Sequence, residues 1–199
     1  MQGAAVTLMT GTGAEAVVAV SDRASRRIEE IQFDLGEGPG RDAFHEACQV
    51  LVDDVEEGFT RWPIYVPAVR AAGVGAVFAF PLRLGASRLG VLTFYGARPR
   101  VLEPAETAAC LVLADTATQL LLDGGPPGKD GTRPGIPSLL RVRSEVYQAQ
   151  GIVMVDLGIG LADALARMRA HAYATDTELD VLAREVIAGT TRLDPGDGP

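Results

Sequence analysis

Arg141, Arg143, Arg167, Arg169, His171 and Tyr173, all in the last third of the chain, combine guanidinium groups with an aromatic ring. Guanidinium pairs with phosphate and stacks on bases, and a tyrosine ring stacks on a base splayed out of a loop. Arginines scattered in this way equally suit a solvated helix face. A second grouping, Asp42, His45, Glu46 and Cys48, lies close enough on a predicted helix for some members to share a face. His45 and Cys48 are residue types that hold a metal or haem, yet one histidine and one thiol at this spacing more often serve packing. A third, Gly11-Thr12-Gly13-Ala14-Glu15-Ala16, has the spacing of a dinucleotide-binding fingerprint with alanine last. That motif needs a helix after its glycines, so that the helix N-terminus meets the pyrophosphate. Here Val17-Val18-Ala19-Val20 follows instead, which makes the glycines a hairpin turn. No nucleophile has an assigned base, and no two carboxylates pair as acid and base. The chain is therefore read as no enzyme, with no catalytic residue, no metal site and no cofactor identified.

The elements that position these groups follow from composition and pattern. A chain of 199 residues is long enough for one sizeable domain and a small one, or for a single larger domain. Hydrophobic content of 47% and a mean hydropathy of +0.15 suit a packed globular protein. A net charge of −8 argues against non-specific binding of nucleic acid or membrane over the whole surface, so any polyanion contact needs a local cluster. The start, Met1 to Ala5, has no basic segment of the secretory type. Apolar runs such as Val74 to Leu82 are too short and interrupted to span a bilayer. Cys48 and Cys110 make neither a disulfide framework nor a zinc pattern. The expectation is a soluble, cytoplasmic protein without a membrane partner.

Ala5, Val6 and Leu8 lead into the Gly11–Gly13 turn and the strand Val17–Val20. An amphipathic segment around Ile28, Ile31 and Phe33 precedes Leu35-Gly36-Glu37-Gly38-Pro39-Gly40, a sharp loop. The pattern then predicts a helix over Arg41–Gln49, a strand Val50-Leu51-Val52, and a helix over Trp62–Ala72, broken at Pro67. Strands Ala76–Leu82 and Leu89–Tyr95 flank a Gly85-Ala86-Ser87 turn. Pro104 to Leu122 reads as a long apolar helix with proline in its first turn. Cys110, among Ala109, Leu111, Val112 and Leu113, reads as core.

Taken together, Leu35-Gly36-Glu37-Gly38-Pro39, Val50-Leu51-Val52-Asp53-Asp54, Phe80-Pro81-Leu82 and Leu89-Gly90-Val91-Leu92 resemble the GAF domain, a family of sensory modules, over residues 1–122. The resemblance implies an antiparallel sheet flanked by helices and a pocket over the sheet for a small molecule, whose identity the residues leave open. Such domains usually begin with a helix that often forms a dimer surface, whereas this chain enters its first strand almost at once.

Residues 123–137 are almost all glycine, proline and polar residues and read as a linker between domains. Beyond it, 138–194 reads as a small all-α bundle of three helices, giving an α+β chain overall. Ser138 is placed to cap the first helix, whose stripe is Leu139, Val142, Val146, Ala149 and Val153. Leu161, Ala164, Leu165, Met168 and Ala172 line the second. Thr175-Asp176-Thr177-Glu178 reads as a capping box for the third, with Leu179, Leu182, Ala183, Val186 and Ile187 on its inner face.

Gln148-Ala149-Gln150-Gly151-Ile152-Val153-Met154, then Ala164 to Ala172 and Leu179 to Val186, resemble the ANTAR family of RNA-binding antitermination domains. Ala149, Gly151 and Ala172 then mark close helix packing. The resemblance implies a bacterial regulator that binds stem-loops in nascent transcripts, acting as a homodimer, with RNA contacts on Arg141, Arg143, Arg167, Arg169, His171 and Tyr173. Gln150 stands where many members carry lysine, and Asp176 and Glu178 occupy a turn where asparagine and lysine are common. Over 138–193 six arginines face seven acids, a net charge of −1. Two readings stay open: a signal-responsive antitermination regulator, or a small-molecule sensor and interaction module whose bundle serves dimerisation.

Overall fold

The hairpin at the start of the chain forms as its glycines require. In the computed structural model, which describes residues 2–124 and 143–193, β1 (Gly3–Met9) pairs antiparallel with β2 (Glu15–Val20). Between them the Thr10 N–H donates to the Ala14 carbonyl at 2.8 Å, and Gly13 adopts a φ of 88°. A strand, and no helix, follows the glycines. Asp22 caps α1 (Arg23–Leu35), its side chain accepting the Ser25 N–H at 2.8 Å. Gly36 ends the helix in the left-handed region at a φ of 72°.

Two helices depart from the expected bounds, each for a local reason. α2 spans Pro39–Glu46 rather than Arg41–Gln49. Pro39 takes the first helical position, where its missing N–H costs nothing, and Ala47 turns left-handed at a φ of 54°. α3 spans Tyr65–Ala71 rather than Trp62–Ala72. The Glu37 carboxylate accepts the N–H groups of Ile64 and Tyr65 at 2.6 and 2.7 Å and so sets where the helix begins. Pro67 falls in the first turn, where no intrahelical N–H bond exists to lose, so it breaks nothing.

β3 (Val50–Val52), β4 (Ala76–Leu84) and β5 (Ser87–Gly96) complete a five-stranded antiparallel sheet of order β2-β1-β5-β4-β3. Strand alternation gives it two apolar faces. Ala5, Met9, Val77, Ala79 and Val91 meet α1, α2 and α3, and Phe44, Trp62, Tyr65 and Val66 fill the space over them. One carboxylate enters this layer: Glu29 accepts the hydroxyls of Thr7 and Tyr95, and burial pushes its carboxyl above the ordinary range. On the other face Leu8, Phe78, Phe80, Leu82 and Phe94 meet α4 (Pro104–Leu122) through Cys110, Ala114 and Leu121. By length and composition α4 is apolar enough to cross a membrane, yet this buried stripe lies on the sheet. Its other side exposes Leu111, Val112, Leu113, Leu120 and Leu122.

Three helices follow: α5 (Ser144–Leu157), α6 (Leu161–Ala174) and α7 (Leu179–Ala188). Val146, Ala149 and Val153, then Ala164, Leu165, Met168 and Ala172, then Leu179, Leu182, Ala183 and Val186 form one buried core. Ser138, Leu139, Arg141, Val142 and residues 125–137 of the expected linker lie outside the described residues. Two details of the motif are corrected. A Cβ on Gly151 would meet nothing within 4 Å, so this glycine is not a close-packing position. The capping box does not form: α7 is entered from Glu178 with no side-chain cap, because the Thr175 hydroxyl donates backwards to the His171 carbonyl at 2.8 Å.

Candidate functional site at the seam between sheet domain and helical module

Phe33 sits five residues from Ile28, roughly 140° around α1 from the stripe that faces the sheet. It points away from its own domain and is buried in the core of the three-helix module, at 2% exposure. Two guanidinium groups lie against its ring, that of Arg143 at 3.7 Å and that of Arg169 at 4.9 Å from the centroid. The Arg169 Nε also donates to the Phe33 carbonyl at 2.7 Å. Gly36 makes this approach possible, because a Cβ there would stand 2.8 Å from Arg169 Cδ.

The hairpin supplies the second half of the seam. Glu15 is buried; its carboxylate pairs with Arg41 of α2 and stands 3.8 Å from Arg169 Nη2. The Tyr147 hydroxyl of α5 accepts the Glu15 N–H and donates to the Glu15 carbonyl, both at 2.6 Å. A tyrosine thereby replaces the strand partner that β2, an edge strand, lacks at this residue. Burial lowers the Arg41 and Arg169 guanidinium groups to about 10, which leaves both charged at neutral pH.

Asp34 completes the set, 3.6 Å from Arg143. Burial pushes its carboxyl up from 3.8 to about 6, against the pull of Arg143. The unfolded chain therefore ionises this group first, and the folded state loses stability as pH rises from about 4 to about 6. Asp34→Asn removes that contribution. Melting temperatures of the two proteins across this window check it: the parent falls relative to the variant as pH rises, whereas parallel curves exclude a perturbed Asp34.

The structure thus divides the six candidate contact residues. Arg143 and Arg169 are drawn to Phe33, with side chains 13% and 10% exposed. Arg167 and His171 are half-buried on α6, and Tyr173 is 62% exposed. Arg141 lies outside the described residues. Arg169, His171 and Tyr173 border one cavity, while Asp163 and Glu178 are exposed nearby on the module. Gln150, in the position many family members give to lysine, is buried and donates to the Leu161 carbonyl at 2.6 Å. Glu15, Asp34, Arg41 and Tyr147 have no site role in the sequence reading, and Phe33 reads there as one residue of the amphipathic segment with Ile28 and Ile31, whereas the structure turns it into the module core. His45 packs its ring on Phe44 and Cys48 is exposed. Among the described residues no three His, Cys, Asp or Glu side chains converge on a metal position.

Comparison with known proteins gives two family matches. The GAF domain model matches residues 1–122, and the ANTAR domain model matches residues 138–187. No curated protein matches. The GAF domain region of a protein from Geobacter sulfurreducens PCA superposes with a TM-score of 0.51 at 16% identity, covering 62% of this chain and 82% of that one. The GAF domain of an Acinetobacter phosphoenolpyruvate-protein phosphotransferase gives 0.47 at 9% identity, covering 62% and 72%. The first of these supports the fold alone. GAF and ANTAR domains are regulatory and sensory modules rather than catalytic ones. The chain belongs to the GAF domain family and carries an ANTAR domain behind it, the architecture of a signal-sensing regulator of the ANTAR antitermination type.

Proposed function

We propose that this chain is a cytoplasmic antitermination regulator that binds stem-loop RNA through its ANTAR module, and that the GAF domain holds this module in a resting state. One observation carries the reading: Arg143 and Arg169, two of the cations suited to phosphate, are turned inward onto Phe33 of the GAF domain. An RNA has to compete with that contact, and a signal that weakens it frees them. Phosphate neutralisation supplies much of the affinity for nucleic acid, and a module of net charge −1 over 138–193 cannot leave two arginines unused. The exposed apolar side of α4 is the surface on which a second copy docks, which brings two modules to one transcript.

The test is binding of full-length protein to a stem-loop panel across a salt series, with sedimentation of the same preparation to read its oligomeric state. The expected result is loop-dependent binding that weakens with salt and tightens when the seam is opened by Phe33→Ala. In that opened background Arg169→Ala lowers affinity and reduces the salt slope by about 0.7 for a single-stranded contact. The second reading, in which the module serves assembly, is favoured by the exposed acids Asp163 and Glu178 beside the arginines. Absence of binding to every stem-loop at low salt, in parent and opened variant alike, selects it.

A further inference from the structure

Between the end of α1 and the outer side of α6 lies a cavity of about 810 Å³. Its walls are apolar, from Leu35 and Ile64 of the GAF domain and Ala162, Ala166, Ala170 and Ala174 of α6. Arg41 and Arg169, one from each domain, line it as well, with His171, Tyr173 and Thr175. The two guanidinium groups share Glu15, which pairs closely with Arg41 alone. Arg169 Nη2 remains 3.8 Å from that carboxylate, beyond hydrogen-bond reach, and is buried with no hydrogen-bond partner. Asp34 also borders the cavity but is engaged by Arg143. Arg169 is thereby the less closely paired of the two buried cations. An arrangement with an unsatisfied donor is costly unless an acceptor completes it.

We infer that this cavity is an effector site for a small monocarboxylate with an apolar body, its carboxylate taken by Arg169 and Arg41 and its body lying on Leu35, Ile64 and the α6 alanines. The volume suits a small organic ligand. The planar guanidinium fork suits a carboxylate. One carboxylate meets the two arginines, and the alanine wall carries no side-chain donors for further polar groups; His171, Tyr173 and Thr175 complete the lining. The ligand touches both domains and so favours the docked arrangement over the open one, by linkage. The site lies outside the layer over the GAF sheet, where Phe44, Trp62, Tyr65 and Val66 are packed. It also goes beyond the RNA reading, since its test contains no RNA.

Full-length protein is titrated calorimetrically at neutral pH with benzoate, 4-phenylbutyrate and octanoate, and with the corresponding neutral amides. The expected result is saturable binding of at least one acid, one per chain, with its amide at least tenfold weaker. Ala166→Trp fills the cavity from an exposed helix position and lowers that affinity tenfold or more, while the circular dichroism spectrum is kept; Arg41→Gln has the same effect on affinity. The inference is overturned if no acid binds, if an amide binds as tightly as its acid, or if Ala166→Trp binds as tightly as the parent.

Discussion

Replacing Phe33 by alanine destabilises the full-length protein by about 3–5 kcal/mol and lets the folded ANTAR module separate from the GAF domain. The ring is 2% exposed, and among the described residues it is the one GAF residue inside the core of the module. Its removal leaves a void between helices that are themselves held by short loops, so local collapse fills little of it. The loss extends beyond apolar burial, because the Arg143 and Arg169 guanidinium groups rest on the ring and a partly desolvated cation–π contact adds about 0.5–2 kcal/mol. Urea unfolding followed by circular dichroism, with protease accessibility at α5 to α7, reads both effects. A change below about 1 kcal/mol with unaltered protease sensitivity means that Phe33 does not hold the module in solution. The same substitution acts only through the seam, since Phe33 lies off the stripe that contacts the sheet.

Glu15→Gln costs about 3–5 kcal/mol for a different reason. The carboxylate side chain is 4% exposed, Arg41 is 14% exposed and Arg169 is 10% exposed, so the three charges have little water to fall back on. Neutralising the one anion leaves two buried cations facing each other. The Tyr147 bonds to the Glu15 backbone persist in the variant, which separates the charge effect from loss of docking geometry. A double-mutant cycle with Arg41→Gln isolates the pair: the double variant recovers stability relative to Glu15→Gln alone. Strict additivity in denaturant midpoints excludes the coupling.

Much of the architecture was legible from local pattern because local pattern causes it. The Gly11–Gly13 turn followed by Val17–Val20 leaves no room for a helix, and Pro104 with an apolar run fixes α4 from its first residue to Leu122. Helix ends were less legible where a distant side chain sets them. Glu37, on another loop, decides where α3 begins, and the Thr175 hydroxyl, bonded back to His171, cannot serve α7. Gly151 belongs to a motif, yet open space beside it could not be read from spacing.

The sequence by itself determined an antiparallel-sheet GAF domain and an ANTAR helical module, because periodicity, turn chemistry and motif spacing are properties of neighbouring residues. Tertiary structure alone decided what the arginines face. Arg143 and Arg169 read as solvent-facing cations on their own helices, and Glu15 and Phe33 sit more than a hundred residues away in a hairpin and a helix of the other domain. Docking brings a ring, a carboxylate and two guanidinium groups into one buried cluster. The physical reason is that a charged side chain's state depends on which surface excludes water from it, and that surface belongs to a distant part of the chain.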